Sequence, residues 1–213
     1  MPYIFGYGSL IEQSSRLRTT PKAIYVLPAT VTGFARGWWA RTPSPGFSTT
    51  FAGAIPADKA SINGVVYAVT QQELEDTNKR EDGYTPTDVT GQIQILSGGY
   101  KPKDKVWMYV NKFKAGEREK SLPSASFPIV QSYVDICLTG CLQIEAAFPD
   151  DAKGFAREFI KSTQAWSNYW ENDRINPRRP FVSAPAAFTI DTLLKECVPE
   201  EFSKIQLAPG HWR

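Results

Sequence analysis

The chain has almost no histidine: His211, near the C-terminal end of its 213 residues, is the single one. A Ser-His-acid triad needs an imidazole held within hydrogen-bond reach of its serine, and a side chain near a fraying terminus is badly placed for that. Cysteine is scarce too, limited to Cys137, Cys141 and Cys197. An odd number without framework spacing argues against a disulfide scaffold and for small buried apolar residues in a reducing compartment. Cys137 and Cys141 can share a helix face, but no histidine or third ligand stands near them, so no metal is expected. Long apolar runs are missing, as is a basic segment followed by an apolar one at the start. The expectation is a cytoplasmic protein without a membrane span. Net charge is low, +2 at pH 7, and no Lys/Arg run occurs, which argues against nucleic acid and against an anionic membrane as partners. Small neutral or zwitterionic ligands stay open.

What the chain does have is enough apolar residue, 42% of the total with 13% aromatic, to bury a sizeable core. Its start, Tyr3-Ile4-Phe5-Gly6-Tyr7-Gly8-Ser9-Leu10-Ile11, is a β-favouring run interrupted by glycines. That reads as a buried strand running into a turn where something approaches the backbone closely. Ser9 does not sit in a nucleophile elbow, because Tyr7 and Ile11 occupy the positions that motif reserves for glycine. Ile11 also stands where the dinucleotide fingerprint needs its third glycine, and no Gly-Lys-Ser/Thr phosphate loop occurs. Any chemistry here is expected to use backbone amides, not a nucleophilic hydroxyl.

Further along, Ala23–Leu27, Thr30–Phe34, Ala52–Ile55 and Ile62–Val69 read as strands, with Gly37-Trp38-Trp39 leading into a polar, Pro-rich stretch. Gln71–Asn78 reads as a helix, with Thr70 as N-cap and Glu73 as its capping-box partner. Val89–Leu96 and Lys105–Val110 read as strands, Gly116–Ser126 as a loop, and the pattern turns helical from Ile129. Beyond residue 148, Gly154–Asp173 reads as an amphipathic helix that packs Phe155, Phe159, Trp166 and Trp170 onto the body. Asn176-Pro177-Arg178-Arg179-Pro180 then breaks it, with two arginines read as a solvated loop in preference to a carboxylate site. Thr189–Cys197 looks like a last helix. The expected organisation is a domain over residues 1–148 and a helical C-terminal extension over 149–213, which closes one side of a pocket or forms the face of a homodimer.

A second segment carries weight, Lys79-Arg80-Glu81-Asp82-Gly83-Tyr84. It lies between two strands at a helix end, where a carboxylate can be carried from the rim into a cleft. Together the segments resemble the gamma-glutamylcyclotransferase superfamily (ChaC-like and AIG2-like proteins), the ChaC-like branch most closely at Phe5–Ile11 and Arg80–Tyr84. Val31-Thr32-Gly33-Phe34-Ala35-Arg36 is similar to that branch's second-strand motif. Gly64-Val65-Val66-Tyr67 is similar to the strand before its catalytic helix, and Tyr133–Gly140 to its helix with a tyrosine seven residues before a glycine.

The resemblance implies an α+β fold, a small mixed β-barrel with flanking helices, and release of a γ-glutamyl group as 5-oxoproline without a cofactor. It implies that Tyr7, Gly8, Ser9 and Leu10 grip the γ-glutamyl moiety largely through backbone amides. Glu81 would be the acid/base, and Tyr133 would line the same pocket. Asp82 stands where many relatives carry lysine, which alters charge at the mouth.

Elementary chemistry agrees. The substrate's α-amine attacks its own γ-carbonyl, so no enzyme nucleophile is needed, and positioning of a tethered group is worth roughly 7–11 kcal/mol. An α-amine with a pKa of about 7.7–8.0 is largely ammonium at neutral pH, so a base must take a proton and return it to the departing amine. A Glu81 pKa raised by surrounding apolar strands would suit this, and Arg80 is therefore expected to face away. Pre-aimed loop amides would hold the oxyanion. Glutathione or a γ-glutamyl amino acid is the expected substrate. Alternatives are a γ-glutamylamine or carrier-bound γ-glutamyl substrate, or a binding module without turnover, whose sign would be an occluded pocket or an Arg80 turned in to neutralise Glu81.

Overall fold

In the computed structural model, β1 (Tyr3–Gly6) alternates strictly: Ile4 joins one core, while Tyr3 and Phe5 join another on the opposite face. The structure describes residues 1–42, 48–81, 83–114, 116–179 and 186–208. His211, Asp82, Pro180 and positions 43–47 of the Pro-rich stretch lie outside them. After β1 come α1 (Gln13–Thr19), β2 (Ile24–Thr42), β3 (Thr49–Ala68), α2 (Gln71–Arg80), β4 (Tyr84–Asp88), β5 (Ile93–Ile95), β6 (Val106–Asn111) and α3 (Glu117–Lys120). Then follow β7 (Ile129–Val130), α4 (Gln131–Ala147), α5 (Phe155–Ser162), β8 (Thr163–Gln164), β9 (Trp170–Asn172), α6 (Ala187–Cys197), α7 (Pro199–Phe202) and β10 (Gln206–Leu207).

The main sheet runs β4-β6-β1-β3-β2-β5, with β8 added to β2. The fold is α+β with flanking helices, as expected, but among the described residues no pairing joins β4 to β5, so the expected barrel does not close. It does curl. Ile93 and Ile95 from one end of the path pack into the same core as Val106, Met108 and Val110 of β6. The other face carries Val65 and Tyr67 of β3 with Val69 just beyond it, and is covered by α4, α5 and α6. Among the described residues no helix is long and apolar enough to cross a membrane.

The sequence divides β2 and β3 into shorter strands, whereas the structure runs each as one long arm of a hairpin, from Ile24 opposite Ala68 to Thr42 opposite Thr49. Gly33, at φ +83°, sits at a register shift between Thr32 and Phe34, inside the strand expected over Thr30–Phe34, in a left-handed conformation that glycine adopts readily. On β3 the residues around Asp58 and Lys59 look like a loop by polarity, and they lie in that irregularity: pairing with β2 breaks off at Pro56 and resumes at Ser61, so the strand carries on beyond a bulge. β4 escaped the pattern because it is an end strand, half exposed, with Pro86 inside it.

The capping box at Thr70 and Glu73 is as expected, and α2 extends to Arg80. The expected Gly154–Asp173 helix is shorter. Ser162 ends it, and the chain turns into β8 beside β2 and then β9, where Trp170 is buried. Thr189–Cys197 is not the last helix, since Pro199 starts α7 at its first helical position. Cys137 and Cys141 are buried, with their thiols pushed up by desolvation, while Cys197 is only half-buried.

Candidate active site

The segment leaving β1 is held from behind by two buried guanidiniums. Arg36, with no exposed surface, donates to the Tyr7 carbonyl at 3.2 Å. Arg16 of α1 donates to the Leu10 and Ile11 carbonyls at 3.0 and 2.9 Å. Within the turn, the Gly8 carbonyl accepts from Ile11 N–H and the Ser9 carbonyl from Glu12 N–H. In a trans peptide C=O and N–H point opposite ways, so with the carbonyls of Tyr7, Gly8 and Ser9 taken up by these partners, the amides of Gly8, Ser9 and Leu10 point away from them, that of Ser9 toward the Tyr133 hydroxyl. That is a ready-made set of donors for a developing oxyanion or a carboxylate.

Close approach is why Gly8 is glycine. A Cβ there would stand 2.9 Å from the Tyr133 hydroxyl oxygen. Tyr133 itself is set by α4, whose Gly140 lets the helix lie directly on the loop: a Cβ at Gly140 would meet Glu12 N at 2.4 Å and the Ile11 carbonyl carbon at 2.6 Å. The ring is fixed edge-on by Phe51, centroids 4.9 Å apart, and by Trp38 at 6.0 Å. The tyrosine and glycine that the sequence pairs seven residues apart are thus two ends of one device.

Glu81 is the C-cap of α2, its N–H bonded to the Thr77 carbonyl. It faces a cleft of about 550 Å³ that is also lined by Tyr7, Gly8, Ser9, Leu10 and Tyr133, so the structure brings together the residues that the resemblance assigns to acid/base and substrate-binding roles. Arg80 does not face away. Its Nε and Nη2 donate to Glu81 Oε1 at 3.0 and 2.5 Å, and Arg80 lines the same cleft. Neighbours inside a helix diverge, but the chain leaves helical geometry at Glu81, φ −88° and ψ 39°, which lets both side chains swing to one side. Nor do apolar strands wall off the carboxylate, whose side chain keeps 23% of its surface exposed.

The hydroxyls around the carboxylate are held neutral. Burial pushes Tyr84 up to about 12, with the Glu81 charge adding and the Asn111 side chain opposing. Burial drives Tyr7 and Tyr133 well above the ordinary phenol value. Tyr7 donates its hydroxyl to the Tyr109 carbonyl at 2.6 Å, and Tyr109 donates its own to Asn78 Oδ1 at 2.7 Å.

Sequence reasoning left Arg36 without a role and ranked Arg179 as solvated loop. Arg36 also donates to the carbonyls of Asn63 and Phe159, to Asn63 Oδ1 and to the hydroxyls of Ser162 and Thr163, and it stacks on Phe159 at 3.7 Å. The signal was an arginine in a strand of apolar residues. Arg179 lines the cleft, while its neighbour Arg178 pairs with Glu171 at 2.5 Å.

Among the described residues, a glycine turn, one acidic residue and a buried tyrosine thus line one cleft beside an open, curled sheet. The chain belongs to the family described as gamma-glutamyl cyclotransferase, AIG2-like, whose sequence model matches residues 4–127. No curated protein matches it. Among solved structures it is similar to a gamma-glutamyl cyclotransferase, TM-score 0.55 at 12% identity, covering 91% of this chain and 98% of that one. It is also similar to an uncharacterized protein from Homo sapiens, TM-score 0.52 at 16% identity, covering 71% and 84%. These likenesses are of fold.

Proposed function

We propose that the protein is a cyclotransferase that releases 5-oxoproline from glutathione or a γ-glutamyl amino acid. The reading is carried by one observation: Glu81, the turn residues Gly8, Ser9 and Leu10, and Tyr133 line the same cleft. The amides would grip the γ-glutamyl group and hold the oxyanion on its γ-carbonyl. Glu81 takes a proton from the α-ammonium as the new C–N bond forms, and gives it to the leaving nitrogen as the amide C–N bond breaks. The second ammonium proton ends on the same departing amine, so the balance closes without an enzyme nucleophile or an external reactant.

Arg80 is compatible with this. Its side chain is 44% exposed, and an ion pair so placed is worth about 0–1 kcal/mol. A substrate ammonium arriving at Glu81 can replace it. The same pair favours a second reading, a binding module in which Arg80 keeps Glu81 neutralised. Incubation with glutathione, γ-glutamyl-alanine and isopeptide-linked γ-glutamyl-lysine, with 5-oxoproline as readout, separates them. Product from either of the first two supports the proposal. Product from γ-glutamyl-lysine alone points to a γ-glutamylamine enzyme, and none from any, with normal melting, leaves the binding module.

A further inference from the structure

Among the described residues the cleft is lined by three arginines, Arg41, Arg80 and Arg179, and by one acidic residue, Glu81. Two of these cations are engaged. Arg80 lies on Glu81, and Arg41 donates from Nη2 to the Leu122 carbonyl and the Ser124 hydroxyl while lying over the Phe127 ring. Among the described residues the Arg179 guanidinium has neither a hydrogen bond nor an ion pair, and its Nε is buried without an acceptor. Its one contact of note is the Phe51 ring, 4.9 Å from Cζ. Phe51 is the ring that packs on Tyr133, so Arg179, Phe51, Tyr133 and Gly8 form a continuous line of contact along the cleft.

Arg179 is not carried on a slack loop. Its N–H donates to the Ser132 hydroxyl at 3.3 Å, and Ser132 gives both its amide and its hydroxyl to Asp173, 1% exposed, at 2.7 Å each. Asp173 also accepts from Arg178 N–H at 2.7 Å. A buried network therefore fixes the backbone one residue from Tyr133 and leaves a guanidinium edge unsatisfied. A buried donor without an acceptor is unfavourable until a ligand supplies one, and the Nε–Nη edge of arginine matches a carboxylate in bidentate fashion.

We propose that Arg179 is a specificity-determining residue that receives the carboxylate of the leaving group, so that the substrates are γ-glutamyl amino acids or peptides with a free carboxylate, in preference to γ-glutamyl amines. This rests on the cyclotransferase reading of the same cleft. The γ-glutamyl half is left to the amide cradle, and discrimination falls to a residue beyond the span 4–127 matched by the family.

The test compares γ-glutamyl-alanine with γ-glutamyl-alaninamide on the unaltered protein, Arg179→Gln and Arg179→Lys, reading kcat/KM from 5-oxoproline. The unaltered protein is expected to favour the carboxylate roughly 10–100-fold, the range for a hydrogen-bonded charge. Arg179→Gln is expected to erase that preference by lowering only the carboxylate substrate, and Arg179→Lys to keep part of it. Because the ratio is internal to each variant, a partly unfolded preparation does not distort it. No preference in the unaltered protein, or an equal fall for both compounds in Arg179→Gln, overturns the proposal. If neither compound yields 5-oxoproline and glutathione yields none either, the cyclotransferase reading proposed above fails by itself. Calorimetric binding of the two compounds to the unaltered protein and Arg179→Gln then decides the role of Arg179: a carboxylate preference lost in the variant supports it, and equal or absent binding overturns it.

Discussion

Arg36 donates to the Tyr7 carbonyl from a position with no exposed surface, and among the described residues no carboxylate pairs with it. Its charge is solvated by carbonyls and hydroxyls alone, and burial lowers its pKa to about 10. Arg36→Met should leave several of those acceptors orphaned and cost on the order of 3 kcal/mol. That corresponds to a fall in Tm of roughly 6–12 °C for a chain of this size, read by calorimetry or circular dichroism. Activity should fall further than stability, because the loop amides lose their aim.

Glu81→Gln should lower kcat by about 10²–10⁴-fold, the usual worth of a general acid/base, with KM little changed. The carboxylate's partner is an exposed arginine, so the change should move stability by less than about 1 kcal/mol. A variant that retains more than about a tenth of the activity would remove Glu81 from the mechanism. Arg80→Ala should leave turnover standing, and loss of all activity there would contradict the exchange of Arg80 for a substrate ammonium.

Gly8→Ala should drive a methyl group toward the Tyr133 hydroxyl, 2.9 Å from the ideal Cβ. Overpacking of this kind costs about 1–3 kcal/mol. Combining it with Tyr133→Phe should recover much of the lost stability without recovering activity. Melting and 5-oxoproline release on the single and double variants measure the two effects separately.

Alkaline pH should unfold the protein cooperatively. Tyr84 is raised from its ordinary value of 10.0 to about 12, and Tyr7 and Tyr133 are also raised well above that ordinary value, all chiefly through burial. Each prefers to stay neutral in the folded state, so its contribution is whole below pH 10 and is lost as pH rises through the folded-state value. Phenolate absorbance should therefore appear together with loss of far-ultraviolet ellipticity above about pH 10. A gradual absorbance rise with the fold intact would contradict that.

Much of the site was legible because short-range chemistry specifies it. The glycines of Phe5–Ile11, the capping box at Thr70 and Glu73, and the spacing of Tyr133 from Gly140 each answer to a local constraint. The full length of β2 and β3 was not legible, because the polar residues Asp58 and Lys59 mark a break in pairing between Pro56 and Ser61, and polarity says nothing of the register in which the ladder resumes beyond it. The turn of Arg80 onto Glu81 depends on where the helix ends, a matter of ψ at one residue. Arg179 was beyond reach because its setting is made by Asp173 and Ser132, far from each other in the chain.

The acceptors of Arg36 have a temporal meaning. When β2 leaves the ribosome, Phe159, Ser162 and Thr163 have not yet been synthesised, so the guanidinium lacks half its solvation. The loop after β1 is made before α5, and the shell of acceptors around the guanidinium that holds it is complete only once α5 is in place. A nascent or prematurely terminated chain would thus carry every residue of the cradle and still be idle.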